Sequence, residues 1–157
     1  MNVAVTDAEL VERYPDVALD HDNKAQWKGF LSHRLLIAHC GDCDHWFNPP
    51  RPMCPRCWAD LVEHHEVSGR GRVQWFTLLF QGQGAALHDE ADHPTIAVVV
   101  ELEEQPGLRV TSTLIGCPAG EVACDMAVEL DWQDFEGAPI PVFRPVGSKN
   151  TTKGGYG

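Results

Sequence analysis

Apolar positions recur with a helical period at the start of the chain and with a strand-like period in its second half, and a stretch between them follows neither. Thr6-Asp7-Ala8-Glu9 reads as a capping box that opens a first helix, which Pro15 ends. A second helix is expected from about Asp22 to Ser32, with Trp27, Phe30 and Leu31 on one face. Arg34 to Ala38 is short and apolar, and reads as a strand leading towards Cys40. Beyond Glu66 the runs are rich in β-branched and aromatic residues: Val73–Leu79, Thr95–Leu102, Leu108–Ile115, Ala127–Trp132 and Ile140–Phe143. Thr95–Leu102 is nearly all apolar, which predicts burial on both faces. Gly69-Arg70-Gly71 predicts a bulge or sharp bend, and Gln105-Pro106-Gly107 a turn. Five strands with short turns suggest a small barrel. Gln81 to Asp92 reads as a polar loop, and Gly147 to Gly157 as a disordered tail.

The aperiodic stretch is rich in Pro, Cys and Gly and cannot bury enough apolar surface to hold itself. It carries Cys40-x2-Cys43-x10-Cys54-x2-Cys57. Each C-x-x-C turn lets two thiolates grip one tetrahedral ion, and ten intervening residues suffice for a short ribbon. A thioredoxin-type redox pair would need a βαβ context that is absent here. Iron also accepts four thiolates; zinc fits a short ribbon with no evident electron-transfer partner. His39, His45, His64 and His65 lie close enough in sequence to replace a cysteine, but four thiolates already close the site. A closed site has no position for water, so the metal is expected to be structural. Cys117 and Cys124 read as small buried apolar residues with no base nearby.

Composition narrows the function. The 157 residues fit one domain with a small module. No apolar run approaches the roughly 20 residues of a membrane span, and the N-terminus lacks the pattern of a signal peptide, so a cytoplasmic location is expected. Six cysteines there suggest metal binding before disulfides. The net charge of −11 is uneven: residues 1–23 carry −5, residues 24–72 carry +2 and residues 73–157 carry −8. An acidic chain is a poor polyanion binder, which counts against single-stranded nucleic acid, although barrels and zinc ribbons both serve there. The net-positive stretch has room for a few phosphates of a small ligand. Arg70 and Arg72 flank Gly71 and read equally as phosphate contacts or as solvated charges. No nucleophile elbow, H-E-x-x-H, P-loop or dinucleotide fingerprint is present. His88, Asp89, Glu90, Asp92 and His93 cluster in one loop, read as solvated rather than as an independent hydrolase site.

Several of these segments together resemble the DUF35 family, OB-fold acyl-CoA-associated proteins. They are Trp27-Lys28-Gly29-Phe30-Leu31, Arg34-Leu35, Cys40-Gly41-Asp42-Cys43, Phe47-Asn48-Pro49-Pro50-Arg51 and Cys54-Pro55-Arg56-Cys57. Further along are Ser68-Gly69-Arg70-Gly71-Arg72-Val73, Leu114-Ile115-Gly116-Cys117 and Pro141-Val142-Phe143-Arg144-Pro145, so the resemblance covers about residues 22–146. It implies a mainly β chain: an N-terminal helical segment (1–33), a rubredoxin-like zinc ribbon (34–65), a five-stranded OB-fold (66–146) and a tail (147–157). It also implies a non-catalytic subunit that binds a CoA thioester beside a thiolase-superfamily enzyme acting on carbon–carbon bonds. A lipid-transfer-protein-like retro-aldolase for steroid or lipid side chains is the leading choice; a thiolase, acyltransferase or hydratase complex is the alternative. Lys24, Lys28, Arg51, Arg56, Arg70, Arg72 and Trp75 are then candidates for CoA binding, and Trp27, Phe30 and Trp46 for the partner interface.

Overall fold

The computed structural model describes residues 5–80 and 94–148. The tail from residue 149 onwards and the loop holding His88, Asp89, Glu90, Asp92 and His93 therefore lie outside the described residues.

Helix α1 (Asp7–Arg13) is capped by the Thr6 hydroxyl, which accepts the Glu9 amide at 3.2 Å. Helix α2 (Lys24–Leu31) starts two residues later than its sequence pattern suggests. The Asp20 carboxylate accepts the Asp22 and Asn23 amides, and this side-chain turn outcompetes an earlier helix start. The chain then reverses at His33, with φ of 53°, and the Arg34 amide donates to the Gly29 carbonyl. This cap delays strand β1 (Leu36–Cys40), which starts two residues after Arg34 and continues into the first cysteine.

Strand β1 is the centre of a three-stranded antiparallel sheet, with β2 (Trp46–Phe47) on one side and β3 (Val62–Glu66) on the other. Neither flanking strand shows an apolar alternation. Both exist because β1 offers them a hydrogen-bonding edge.

Strands β4 (Arg70–Leu79), β5 (Thr95–Leu102), β6 (Arg109–Leu114), β7 (Ala127–Phe135) and β8 (Ala138–Pro145) close a barrel in the order β4-β5-β6-β8-β7. Strand β4 begins three residues earlier than its apolar run. Gly69 supplies the bend, with φ of 76°, and the bulge lies between Val73 and Trp75 rather than at the glycines. Gly71 is required for a different reason: a Cβ there would lie 2.3 Å from the Glu101 carbonyl oxygen of β5. Strands β7 and β8 are longer than their apolar segments because the Glu136-Gly137 turn, both residues at positive φ, lets pairing run to Phe135–Ala138.

Val73, Val98, Val100, Leu102, Leu108, Leu114, Val128 and Phe143 fill the barrel. The same core takes in Leu10 of α1 and Tyr14 at its C-cap, and Phe30, Leu35, Ile37 and Val67. Tyr14 donates its phenol to the Pro139 carbonyl at 2.7 Å, fastening the N-terminal segment to β8. Gln105 fastens the ribbon: its side chain accepts the Trp46 amide and donates to the Trp46 carbonyl, both at 3.0 Å. Cys117 is half-buried, but Cys124 is exposed, which corrects its reading as a buried apolar residue; it follows the 3-10 turn at Ala119–Glu121 on the barrel surface.

Candidate functional site: a zinc ribbon and a basic cleft

The two cysteine knuckles share one backbone design. Asp44 and Trp58, each just after the second cysteine of a pair, adopt φ of 57° and 64°. Their amides donate to the Cys40 and Cys54 carbonyls, each at 3.0 Å. The Cys40 amide donates to His45 and the Cys54 amide to Ala59, so each turn is closed twice. The turns deliver four Sγ atoms that all lie within 4.8 Å of one another, with Cys40–Cys57 at 3.6 Å and Cys43–Cys54 at 3.7 Å. A tetrahedral zinc with bonds of about 2.3 Å has sulfur–sulfur edges of about 3.8 Å. The donor set fits a structural zinc, which Cys40, Cys43, Cys54 and Cys57 would hold with no protein position left open.

Sharing one space separates the thiols' acidities. Burial pushes Cys43 up to about 12. Burial opposes ionisation of Cys54 as well, but the amides of Cys57 and Arg56 together with the Cys43 and Cys57 thiols outweigh it and bring Cys54 down to about 7. The Arg56 amide points at the Cys54 sulfur at 3.4 Å, the kind of contact that favours thiolate. None of His39, His45, His64 and His65 joins this sulfur cluster.

Beside the ribbon, a cleft of about 300 Å³ runs between α2 and the β3 face that bears Val62 and His64. Lys24, Lys28 and Arg51 line it, together with His21, Asp22 and Asp60. One helical turn separates the two lysines, so their ammonium groups lie side by side. Both bind Asp7 of α1, Lys24 at 3.1 Å and Lys28 at 2.5 Å, and they hold its carboxyl below the ordinary range. The wall residue His64 has a buried Nε2 without a hydrogen-bond partner among the described residues, and burial lowers its pKa. Asp7 and His64 escaped the sequence reading of this site. Asp7 is 17 residues from Lys24, and only the fold brings the two together.

The remaining candidates do not join this cleft. Arg70 and Arg72 line a second cavity of about 310 Å³ on the barrel, with Glu101 and Glu103. There Arg70 pairs with Glu103 at 2.9 Å, and Arg72 donates to the Asp125 carbonyl at 2.9 Å. Arg56 and Trp75 are exposed and line neither cavity. Of the interface candidates, Phe30 is buried in the core, which leaves little of it for a partner to touch. Trp27 sits between Tyr14 and Phe30, tilted against the first and edge-on to the second with ring centroids 4.9 Å apart in each case, and lines a groove with Phe135 and Ile140. Trp46 packs against His39 at 4.6 Å.

Comparison with known proteins agrees with this architecture. Residues 27–63 match the family profile described as the ChsH2 rubredoxin-like zinc ribbon domain, and residues 64–133 match that of the ChsH2 C-terminal OB-fold domain. A DUF35 domain-containing scaffold protein of Methanocaldococcus jannaschii is 29% identical over 105 residues, covering 66% of this chain and 71% of that protein. One from Pyrococcus furiosus is 30% identical over 106 residues, covering 66% and 73%. Among solved structures, a chain of the Ltp2-ChsH2(DUF35) aldolase superposes with a TM-score of 0.71 at 29% identity, over 82% of this chain and 98% of that one. A DUF35 protein of unknown function from Sulfolobus solfataricus shares the fold, with a TM-score of 0.59 at 13% identity over 88% of this chain and 94% of that one. Ribbon and barrel match as consecutive parts of the same architecture, and the chain belongs to the DUF35 family.

Proposed function

We propose that this chain is a non-catalytic, acyl-CoA-binding scaffold subunit of a thiolase-like enzyme that cleaves or forms carbon–carbon bonds in CoA thioesters. A retro-aldolase acting on a steroid or lipid side-chain ester is the favoured partner. The observation that carries this reading is the likeness, over ribbon and barrel together, to the DUF35 chain of an aldolase. We take residues 1–33, 34–65 and 66–146 as its helical, ribbon and barrel units, followed by the tail, and the cytoplasm as the compartment that keeps its thiols reduced.

In this reading Lys24, Lys28 and Arg51 receive the phosphates of CoA. Three cations in one cleft can give charge-assisted hydrogen bonds, whereas Arg70 and Arg72 line a cavity that the Glu101 and Glu103 carboxylates share. Asp7 is the resident counter-ion that a phosphate displaces. The groove of Tyr14, Val17, Trp27, Phe135 and Ile140 is the face offered to the partner. Phe135 is 64% exposed and Ile140 40%, with Glu12, Arg13, Asp16 and Glu136 also lining the groove.

The test is co-purification from the native host, followed by calorimetry with acyl-CoAs. Recovery of a thiolase-fold partner is expected, with K24A/K28A weakening acyl-CoA binding by about tenfold or more and R70A/R72A weakening it far less. Absence of any such partner together with absence of acyl-CoA binding would end this proposal.

A further inference from the structure

The ribbon sheet carries a second cluster of metal-ligating side chains, on the face opposite Ala38 and Cys40. Residues His39 on β1 and Glu63 on β3 are directly paired across the strands. Side chains two apart in a strand share a face, so His65 stands beside Glu63 on that same face. Trp46 is paired with His39 from the other side, on β2. The three side chains His39, Glu63 and His65 each bring one donor atom within 4.8 Å of the others.

We propose that His39, Glu63 and His65 form a second metal site, distinct from the four cysteines, for a divalent cation of borderline softness such as zinc, nickel or copper. Two imidazoles and one carboxylate are the donor set such ions prefer. The site has a built side and an open side. Trp46 covers it, its ring centroid 4.6 Å from that of His39 and 6.1 Å from that of His65. The His39 side chain is only 14% exposed, and its buried Nδ1 has no hydrogen-bond partner among the described residues. Its Nε2 has the Asp44 carboxylate at 3.8 Å, beyond hydrogen-bond distance. Glu63 and His65 are about half exposed, with His65 Nε2 already 2.8 Å from Glu63 Oε2, so the mouth is open to an ion from solvent. Donors on a tetrahedral ion with bonds of about 2.0–2.1 Å lie about 3.3 Å apart. Side-chain rotation at the exposed Glu63 and His65 supplies the remaining approach. Three protein ligands leave a fourth position for a water.

The experiment titrates the full-length chain, its cysteine site already filled with zinc, with further zinc and separately with cobalt. A saturable second equivalent is expected. Cobalt bound there should lack the sulfur-to-metal charge-transfer band of a thiolate site. H65A should weaken the second equivalent by at least about tenfold while the first stays bound. E63Q, which keeps the side chain's size, should weaken it too and serves as the check if H65A disturbs the sheet. Binding of a single equivalent only would overturn the proposal and leave Glu63–His65 as a plain hydrogen-bonded pair. So would a second equivalent that both variants retain, because the ion would then sit on other histidines.

Discussion

The ribbon and the barrel solve the same problem by different means. The barrel closes its sheet, β4 meeting β7, so that every strand has two neighbours and the interior fills with Val, Leu and Phe143. The ribbon has three short strands, and its own buried cluster is Ala38, Cys40, Phe47 and Cys54, two of which belong to the four-cysteine set that could hold a metal. What burial supplies in the barrel, coordination must supply in the ribbon. The boundary between the two runs through a single strand. In β1, Ile37 faces the barrel core and Ala38 and Cys40 face the cysteine cluster, so alternate residues belong to different stabilising systems.

Removing the metal should break this division most sharply. Structural zinc sites in small peptides contribute about 10–16 kcal/mol. Either C54A or a strong chelator should therefore unfold the ribbon before any effect on chemistry is visible. Amide exchange should rise across residues 40–62, while β4 to β8 stay protected. A C54A chain that keeps its zinc and remains fully active in complex with its partner would show that the ribbon holds itself. The converse change, F143A, removes a ring that is 0% exposed at the centre of the barrel. It should cost about 3–5 kcal/mol, read by denaturant unfolding, and leave zinc content unchanged. Loss of zinc in F143A would show that the two regions unfold together.

The same contrast explains what was legible in the sequence. Barrel strands announce themselves because they bury apolar faces, and Thr95–Leu102 and Val73–Leu79 are found where their patterns lie. The four-cysteine cluster was legible because tetrahedral coordination would impose that spacing on the chain, and the fold brings the four sulfurs together. Strand β3 was not: Val62-Glu63-His64-His65-Glu66 has no apolar alternation and is a strand only because β1 pairs with it. The basic candidates were legible as residue types and illegible as a site. Lys24, Lys28 and Arg51 share a cleft, and Arg70 and Arg72 lie elsewhere, because grouping depends on the packing of α2 against the ribbon, which no local pattern encodes.

The smallest expected effect separates the two regions by pH. Tyr14, buried against the barrel with its phenol on Pro139, has its pKa raised by that burial to about 12. The folded state keeps its proton where the unfolded chain, near 10, has lost it, so this contribution is present below pH 10 and is lost as pH rises towards 12. His64, on the ribbon, works in the opposite direction. Burial lowers its pKa below the usual 6.5, and outweighs the opposing pull of Asp22. The unfolded chain therefore binds the proton more readily, and His64 contributes stability that is full above pH 6.5 and declines as pH falls through its folded pKa. Acid also releases zinc by protonating the thiolates, so the informative measurement is the difference between the parent chain and H64Q, at pH values where zinc content stays constant. H64Q should flatten the acid limb of the stability curve and leave the alkaline limb intact, while Y14F should do the reverse. If H64Q and the parent lose stability in parallel on acidification, the buried Nε2 of His64 has water or a ligand at its side, and the cleft that Lys24, Lys28 and Arg51 line is wetter than its wall implies.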